Sequence, residues 1–68
     1  MSSSLLITKT IKEISILLNE IQDNKRKIYS SNQPNEIQQS MKTIKNKLSE
    51  IEDKVNKIFY NIIIYSLD

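Results

Sequence analysis

The stretch Ile28–Ile37, with the sequence IYSSNQPNEI, interrupts a regular apolar pattern and decides how this chain folds. On both sides of it, apolar residues recur at alternating spacings of four and three, which is the heptad pattern of coiled-coil helices. The step from Ile28 to Ile37 is nine residues, whereas a step of seven would keep the heptad register. In one straight helix, the two extra residues would rotate the second apolar stripe by about 200°, so that the two stripes would face opposite ways.

Pro34 marks the boundary between two helices. Proline lacks a backbone N–H donor and disfavours helical geometry at the preceding Gln33, yet it suits the first position of a new helix. Glu36 would then lie in the first turn, where negative charge is favourable next to the helix dipole. Because the chain contains no glycine, Asn32 is expected to end the first helix in the left-handed conformation.

These features predict an all-α fold, an antiparallel helical hairpin with heptad packing, completed into a bundle by association. The expected organisation is a single coiled-coil domain over residues 1–68, with a helix at 5–30, a turn at 31–33 and a helix at 34–65. Residue i would lie opposite residue 66 minus i. A single kinked helix is the alternative.

In the predicted hairpin the two chain ends lie side by side. The pairing places Leu5, Leu6 and Ile7 opposite Phe59, Tyr60 and Asn61, taken as a group. We therefore expect these apolar ends to cover each other.

The four-three spacing assigns the apolar residues to heptad positions a and d. Ile7 and Ile37 begin the d series of the two helices, and Ile11 and Met41 begin the a series. Lys25 also occupies an a position, where a single polar residue lowers stability but specifies register and partner. The candidate partner-binding residues are the apolar members of both series: Ile7, Ile11, Ile14, Leu18, Ile21, Ile28, Ile37, Met41, Ile44, Leu48, Ile51, Val55, Ile58, Ile62 and Tyr65.

The length and composition of the chain favour association. Small chains bury only about 60% of their unfolded surface and usually need disulfides, a metal or oligomerisation. The sequence of 68 residues has no cysteine and no histidine, so it offers neither a disulfide nor a zinc site. Isoleucine at d with leucine or methionine at a favours trimers and tetramers in parallel coiled coils. Ile16 and Leu17, at f and g, widen the apolar face and indicate a bundle of more than two helices.

Catalysis is not expected from this sequence. Histidine, cysteine nucleophiles and glycine-rich phosphate loops are absent. Glu50, Glu52 and Asp53 are clustered, but Glu50 and Glu52 point apart at helical spacing, as on a solvated face. The prediction is a non-enzymatic protein with no cofactor, no metal and no small-molecule substrate.

A membrane span is not expected either. The apolar run Ile58–Leu67 has ten residues, whereas a spanning helix needs about twenty. Only Lys54 and Lys57 flank the run with positive charge, so it lacks the basic polar face of a membrane-surface helix. Packing against protein helices, from copies of the chain or from other proteins, is the expected role.

A basic helical module that binds nucleic acid or an acidic surface is the alternative function. The net charge is only +2, and no exposed aromatic residue alternates with the basic residues to stack on bases. Phosphate binding usually engages six or more contacts, so nucleic acid is the less favoured partner. The residues that would carry it are Lys25, Arg26, Lys27, Lys42, Lys45 and Lys47.

Short stretches of the chain resemble small coiled-coil adaptor proteins. Ile7–Ile14 (ITKTIKEI), followed by Leu18-Asn19, and Ile51–Val55 (IEDKV) resemble the Brick subunit of the WAVE/SCAR actin-regulatory complex. Leu17–Asp23 (LLNEIQD) and Ser49–Asp53 (SEIED) resemble heat-shock-factor-binding protein, a short oligomeric coiled coil. The resemblance implies a small subunit or adaptor of a cytoplasmic multiprotein complex, with actin regulation and the cytoskeleton as one setting.

Overall fold

The computed structural model describes residues 2–67, which form two long antiparallel helices joined by a short turn. Helix α1 spans Ser2–Ser30 and helix α2 spans Pro34–Leu67, with no strand among the described residues. The predicted helical hairpin is therefore confirmed, and the single kinked helix is wrong. Relative to the predicted bounds, α1 begins three residues earlier and α2 ends two residues later.

The hairpin is a thin rod. Its Cα atoms extend over 54 × 15 × 11 Å. The length is that of α2, because 34 residues at 1.5 Å per residue give about 51 Å. Only two helices share the packing, so each one has a single neighbour and most of its circumference faces outward.

The turn is held by the Ser31 side chain and by two backbone hydrogen bonds. The Ser31 N–H donates to the Lys27 carbonyl at 3.0 Å, and the Ile37 N–H donates to the Gln33 carbonyl at 3.1 Å. The Ser31 hydroxyl accepts a hydrogen bond from the Gln33 N–H at 3.1 Å and donates to a Glu36 carboxylate oxygen at 2.8 Å. This single side chain thus connects the turn to the first turn of α2.

Pro34 is the first residue of α2 and Glu36 lies in its first turn, as the sequence predicts. The expectation for Asn32 is wrong, because no non-glycine residue among residues 2–67 has a positive φ angle. The Ser31 hydrogen bonds shape the connection instead, so the chain reverses direction without a left-handed residue.

The two helices meet along their d and g positions. Each d isoleucine from Ile7 to Ile58 is half-buried between the helices, while the neighbouring g residues Thr10, Leu17 and Ser40 are buried. Thr10 is 2% exposed and its hydroxyl donates to the Leu6 carbonyl at 2.8 Å, so its polar group is satisfied. We call the contact between the helices the seam; it consists of these d residues and the g residues Thr10, Leu17, Asn24, Ser31, Ser40, Lys47, Lys54 and Asn61.

Two ion pairs cross the seam and show its register. Lys47 Nζ lies 3.0 Å from Glu20 Oε2, and Lys54 Nζ lies 3.7 Å from Glu13 Oε1. Both pairs join residues whose numbers sum to 67, which matches the predicted pairing to within one residue. Small residues and lysine stems at g let the backbones approach on this side, with the ammonium groups reaching the glutamates.

The open end of the rod, opposite the turn, differs from the expectation. Leu5 is 75% exposed, and Phe59 and Tyr60 are also exposed, although Leu6 is half-buried. The expectation that these apolar ends cover each other is wrong. The reason is rotational: Leu5, Phe59 and Tyr60 occupy heptad positions b, e and f, which point away from the seam.

Candidate protein interface

The a residues of both helices lie outside the contact between the helices. Leu18 is 48% exposed and Leu48 is 52% exposed, although both are large apolar side chains. We call the apolar a residues the apolar face; they are Ile11, Leu18, Met41, Leu48, Val55 and Ile62, and all are exposed.

These residues form one continuous surface because the helices are antiparallel. Around each helix, the a position lies on one side of the d–g seam and the c position lies on the other. Reversing the direction of α2 also reverses the sense of this rotation. The a residues of α1 and α2 therefore lie on the same broad side of the rod, and the c residues share the opposite side.

The opposite broad side is polar. Glu13 and Glu20, which pair with the seam lysines, are c residues on this side. Near the turn, an open concavity on the same side is lined by polar residues that include Asn24, Lys27 and Thr43. The hairpin is therefore apolar on one broad side and polar on the other. Ion pairs join the two helices on the polar side, whereas the apolar a residues on the other side are exposed.

The exposed area is larger than that of a compact protein of this mass. A folded monomer of 8.0 kDa exposes about 4,450 Å² by the usual scaling, whereas the hairpin exposes 5711 Å². The excess of about 1,250 Å² follows from the thin shape of the rod, since a single pair of helices encloses little interior. Covering the apolar face would bring the exposed area towards the compact value.

The open end carries apolar side chains on more than one side of α2. Phe59, Ile62, Ile63, Ile64 and Tyr65 are all exposed, although they occupy five different heptad positions, e, a, b, c and d. A helix that is apolar all round is normally buried. No helix among residues 2–67 is long and apolar enough to cross a membrane.

The predicted partner-binding residues thus divide into two groups. The d residues from Ile7 to Ile58 pack between the two helices, while the six residues of the apolar face and Tyr65 remain exposed. Sequence reasoning missed the seam residues Thr10 and Ser40. The signal that could have found them is that Thr10, Leu17 and Ser40 are compact residues three positions after a d isoleucine.

The six basic residues of the alternative function do not form a single surface. Lys25, Arg26 and Lys27 are consecutive and therefore project about 100° apart around α1. Arg26 pairs with Asp23 at 3.0 Å, and Lys47 is held in its seam ion pair with only 19% of its side chain exposed. Lys27 and Lys47 lie at c and g on the polar side, whereas Lys25, Lys42 and Lys45 lie at a, b and e near the turn, so the six cations are divided between two sides of the rod.

The carboxylates do not converge on a common centre. Among the residues that the structure describes, no group of three aspartate, glutamate, histidine or cysteine side chains could hold a metal ion. Glu50, Glu52 and Asp53 are all exposed on α2.

Comparisons with protein-family models, curated proteins and solved structures find no match to this chain.

Proposed function

We propose that this chain is a non-enzymatic coiled-coil interaction protein, a small subunit or adaptor that binds partner helices through its apolar face. The observation that carries the proposal is that six large apolar a residues share one broad side of the rod while remaining exposed. An exposed apolar patch of this extent on a small protein typically marks a protein–protein interface.

The geometry favours a helical partner in particular. The apolar face runs along the rod with a repeat of seven residues, and a partner helix with the same repeat can insert its side chains between those of the face. The a residues form one row on each helix, and each row can pack along a partner helix.

The open end offers a second contact region. Phe59, Tyr60, Ile63 and Ile64 lie outside the apolar face and are exposed. A subunit that uses two separate apolar surfaces can join more than one neighbour, which is the role of an adaptor. The resemblance of Ile7–Ile14 and Leu17–Asp23 to small adaptor subunits points to the same role, with the cytoplasm as its setting.

Affinity purification from the native cell, with matched variants, tests this function. We compare the tagged wild type with Leu48→Lys on the apolar face and with Asn46→Lys, two residues away at an outward f position. Proteins that bind the apolar face are expected with the wild type and with Asn46→Lys, and to be lost with Leu48→Lys.

A salt wash separates the proposed function from the basic alternative. Contacts to phosphates weaken steeply as salt rises, whereas apolar packing does not. Partners that survive high salt and depend on Leu48 support the proposal. Partners that are released by salt and bind equally well to Leu48→Lys contradict it.

A further inference from the structure

We infer that the apolar face is covered by the apolar face of a second copy of this chain, in a four-helix bundle of two hairpins that lie end over end. The inference rests on the proposed function, because it names the occupant of the same surface. In this arrangement the turns of the two copies lie at opposite ends of the bundle.

The size of the face fits a second copy. The broad side that carries the apolar face is 54 × 15 Å between Cα atoms, a projected area of about 800 Å², comparable to the area that each partner contributes to a standard interface. A single helix is about 10 Å wide and would leave one row of a residues uncovered. A second hairpin has the same length and width, and a two-fold axis lets the same patch serve both copies.

The layers of the apolar face are symmetric about one level of the rod. Leu18 and Leu48 lie at the same level, because their numbers sum to 66 and the seam pairs sum to 67. A two-fold axis at this level packs each leucine against its own copy. Met41 and Val55 each lie seven residues from Leu48, so Met41 meets Val55 of the second copy.

The charges beside the apolar face are also complementary in this arrangement. Lys45 precedes Leu48 by three residues and Glu52 follows it by four, and both lie at e positions on the outer edge of the face. The two-fold axis therefore places Lys45 of each copy opposite Glu52 of the other. Opposite charges at such flanking positions set the orientation of coiled-coil partners.

The basic turn end disfavours the opposite orientation. Lys25 and Arg26 of α1 lie at nearly the same level as Lys42 and Lys45 of α2. If both turns lay at the same end of the bundle, Lys25 of one copy would pack beside Lys42 and Lys45 of the other. The end-over-end arrangement separates these groups, because it places Lys25 of each copy opposite Ile11 of the other.

Sedimentation equilibrium of the full chain tests the occupant. The wild type is expected to form particles of two chains, about twice the chain mass of 8.0 kDa. Leu48→Lys is expected to weaken dimerisation by at least about 100-fold, since it places two like charges at the symmetry axis in a desolvated layer. Asn46→Lys should change it less than about threefold. Helical content measured at the same time shows that the variant hairpins remain folded.

A distance measurement on the dimer tests the orientation without disturbing the apolar face. The chain has no cysteine, so Asn32→Cys gives a single labelling site at the turn. Turns at opposite ends, each about 15 residues from the axis level, predict a separation of spin labels of about 45 Å. Turns at the same end would place the labels within about 25 Å.

Three results would overturn the inference: a wild type that stays monomeric at high concentration, dimerisation unaffected by Leu48→Lys, or a turn-to-turn distance below about 25 Å. A monomeric wild type whose Leu48→Lys variant still loses its cellular partners would refute the second copy and leave the proposed function standing. A dimer that captures no other protein would support the second copy and remove the adaptor role.

Discussion

Replacing Leu17 or Leu18 by alanine distinguishes the seam from the apolar face. The two residues are adjacent in α1 and identical in type, so their helix propensities cancel. Leu17 is 7% exposed between the helices, whereas Leu18 is 48% exposed on the apolar face. The heptad pattern alone would make Leu18, an a residue, the more important of the two within the hairpin.

The expected magnitudes follow from burial. Truncating a buried leucine removes its transfer free energy and leaves a cavity, at a cost of about 2–5 kcal/mol. Truncating a half-exposed leucine in an isolated hairpin should cost about 1 kcal/mol, because only part of its surface is removed from water. A chain of this length has a free energy of unfolding of about 3–10 kcal/mol, so Leu17→Ala removes a large share of it.

Urea denaturation followed by circular dichroism measures both variants. At low protein concentration, where association is negligible, Leu17→Ala should have a much lower free energy of unfolding than Leu18→Ala. As the concentration rises, the free energy of unfolding of the wild type should increase more than that of Leu18→Ala. Association through the apolar face stabilises only the folded state, as a bound ligand does, and Leu18→Ala weakens that association. Equal losses at low concentration, or a larger loss for Leu18→Ala, would refute the d–g seam.

Substitutions at three further positions probe the seam and the turn by the same denaturation measurement. Lys47→Met should be neutral or stabilising, because an apolar side chain of similar length replaces a largely buried charge while Glu20, with 46% of its side chain exposed, stays solvated. Lys47→Glu, which faces Glu20, should destabilise the hairpin, and a marked loss with methionine would contradict this. Ser31→Ala should cost about 1 kcal/mol, since it removes the hydroxyl that joins the turn to Glu36, and a change within error would exclude that role. Asn32→Gly should lower the free energy of unfolding by about 0.4–1 kcal/mol. The turn uses no positive φ, so glycine only adds conformational freedom to the unfolded chain. A gain in stability would show that the turn prefers a left-handed residue.

The hairpin itself could be predicted from local sequence. The nine-residue step between Ile28 and Ile37 rules out one continuous stripe, and Pro34 supplies a helix start at the same place. Once the turn is placed, the antiparallel pairing follows, and the Lys47–Glu20 ion pair lies within one residue of that pairing. These features depend on neighbours in sequence and on simple geometry.

The side of the d row on which the helices meet could not be predicted. The a row is the more apolar one, so the heptad pattern favours it for the seam, whereas the structure uses the g row with Thr10, Leu17 and Ser40. Whether the helices meet along the a row or the g row depends on contacts between residues far apart in the chain, such as Lys54 with Glu13. For the same reason, the sequence did not show that the a residues remain available to a partner.

The numbers of the paired residues across the seam add up to a constant value, and this antiparallel pairing determines how the length of the rod could change in evolution. Seven residues inserted into one helix alone would shift every opposing pair between the insertion and the open end, and an insertion between the turn and Lys47 would separate Lys47 from Glu20. Seven residues added to both helices at the same level would preserve the seam, the apolar face and the polar side, and would lengthen the rod by about 10.5 Å. The turn around Ser31 and Pro34 would not need to change. Paired heptad insertions are therefore neutral steps for this architecture, whereas unpaired ones are disruptive.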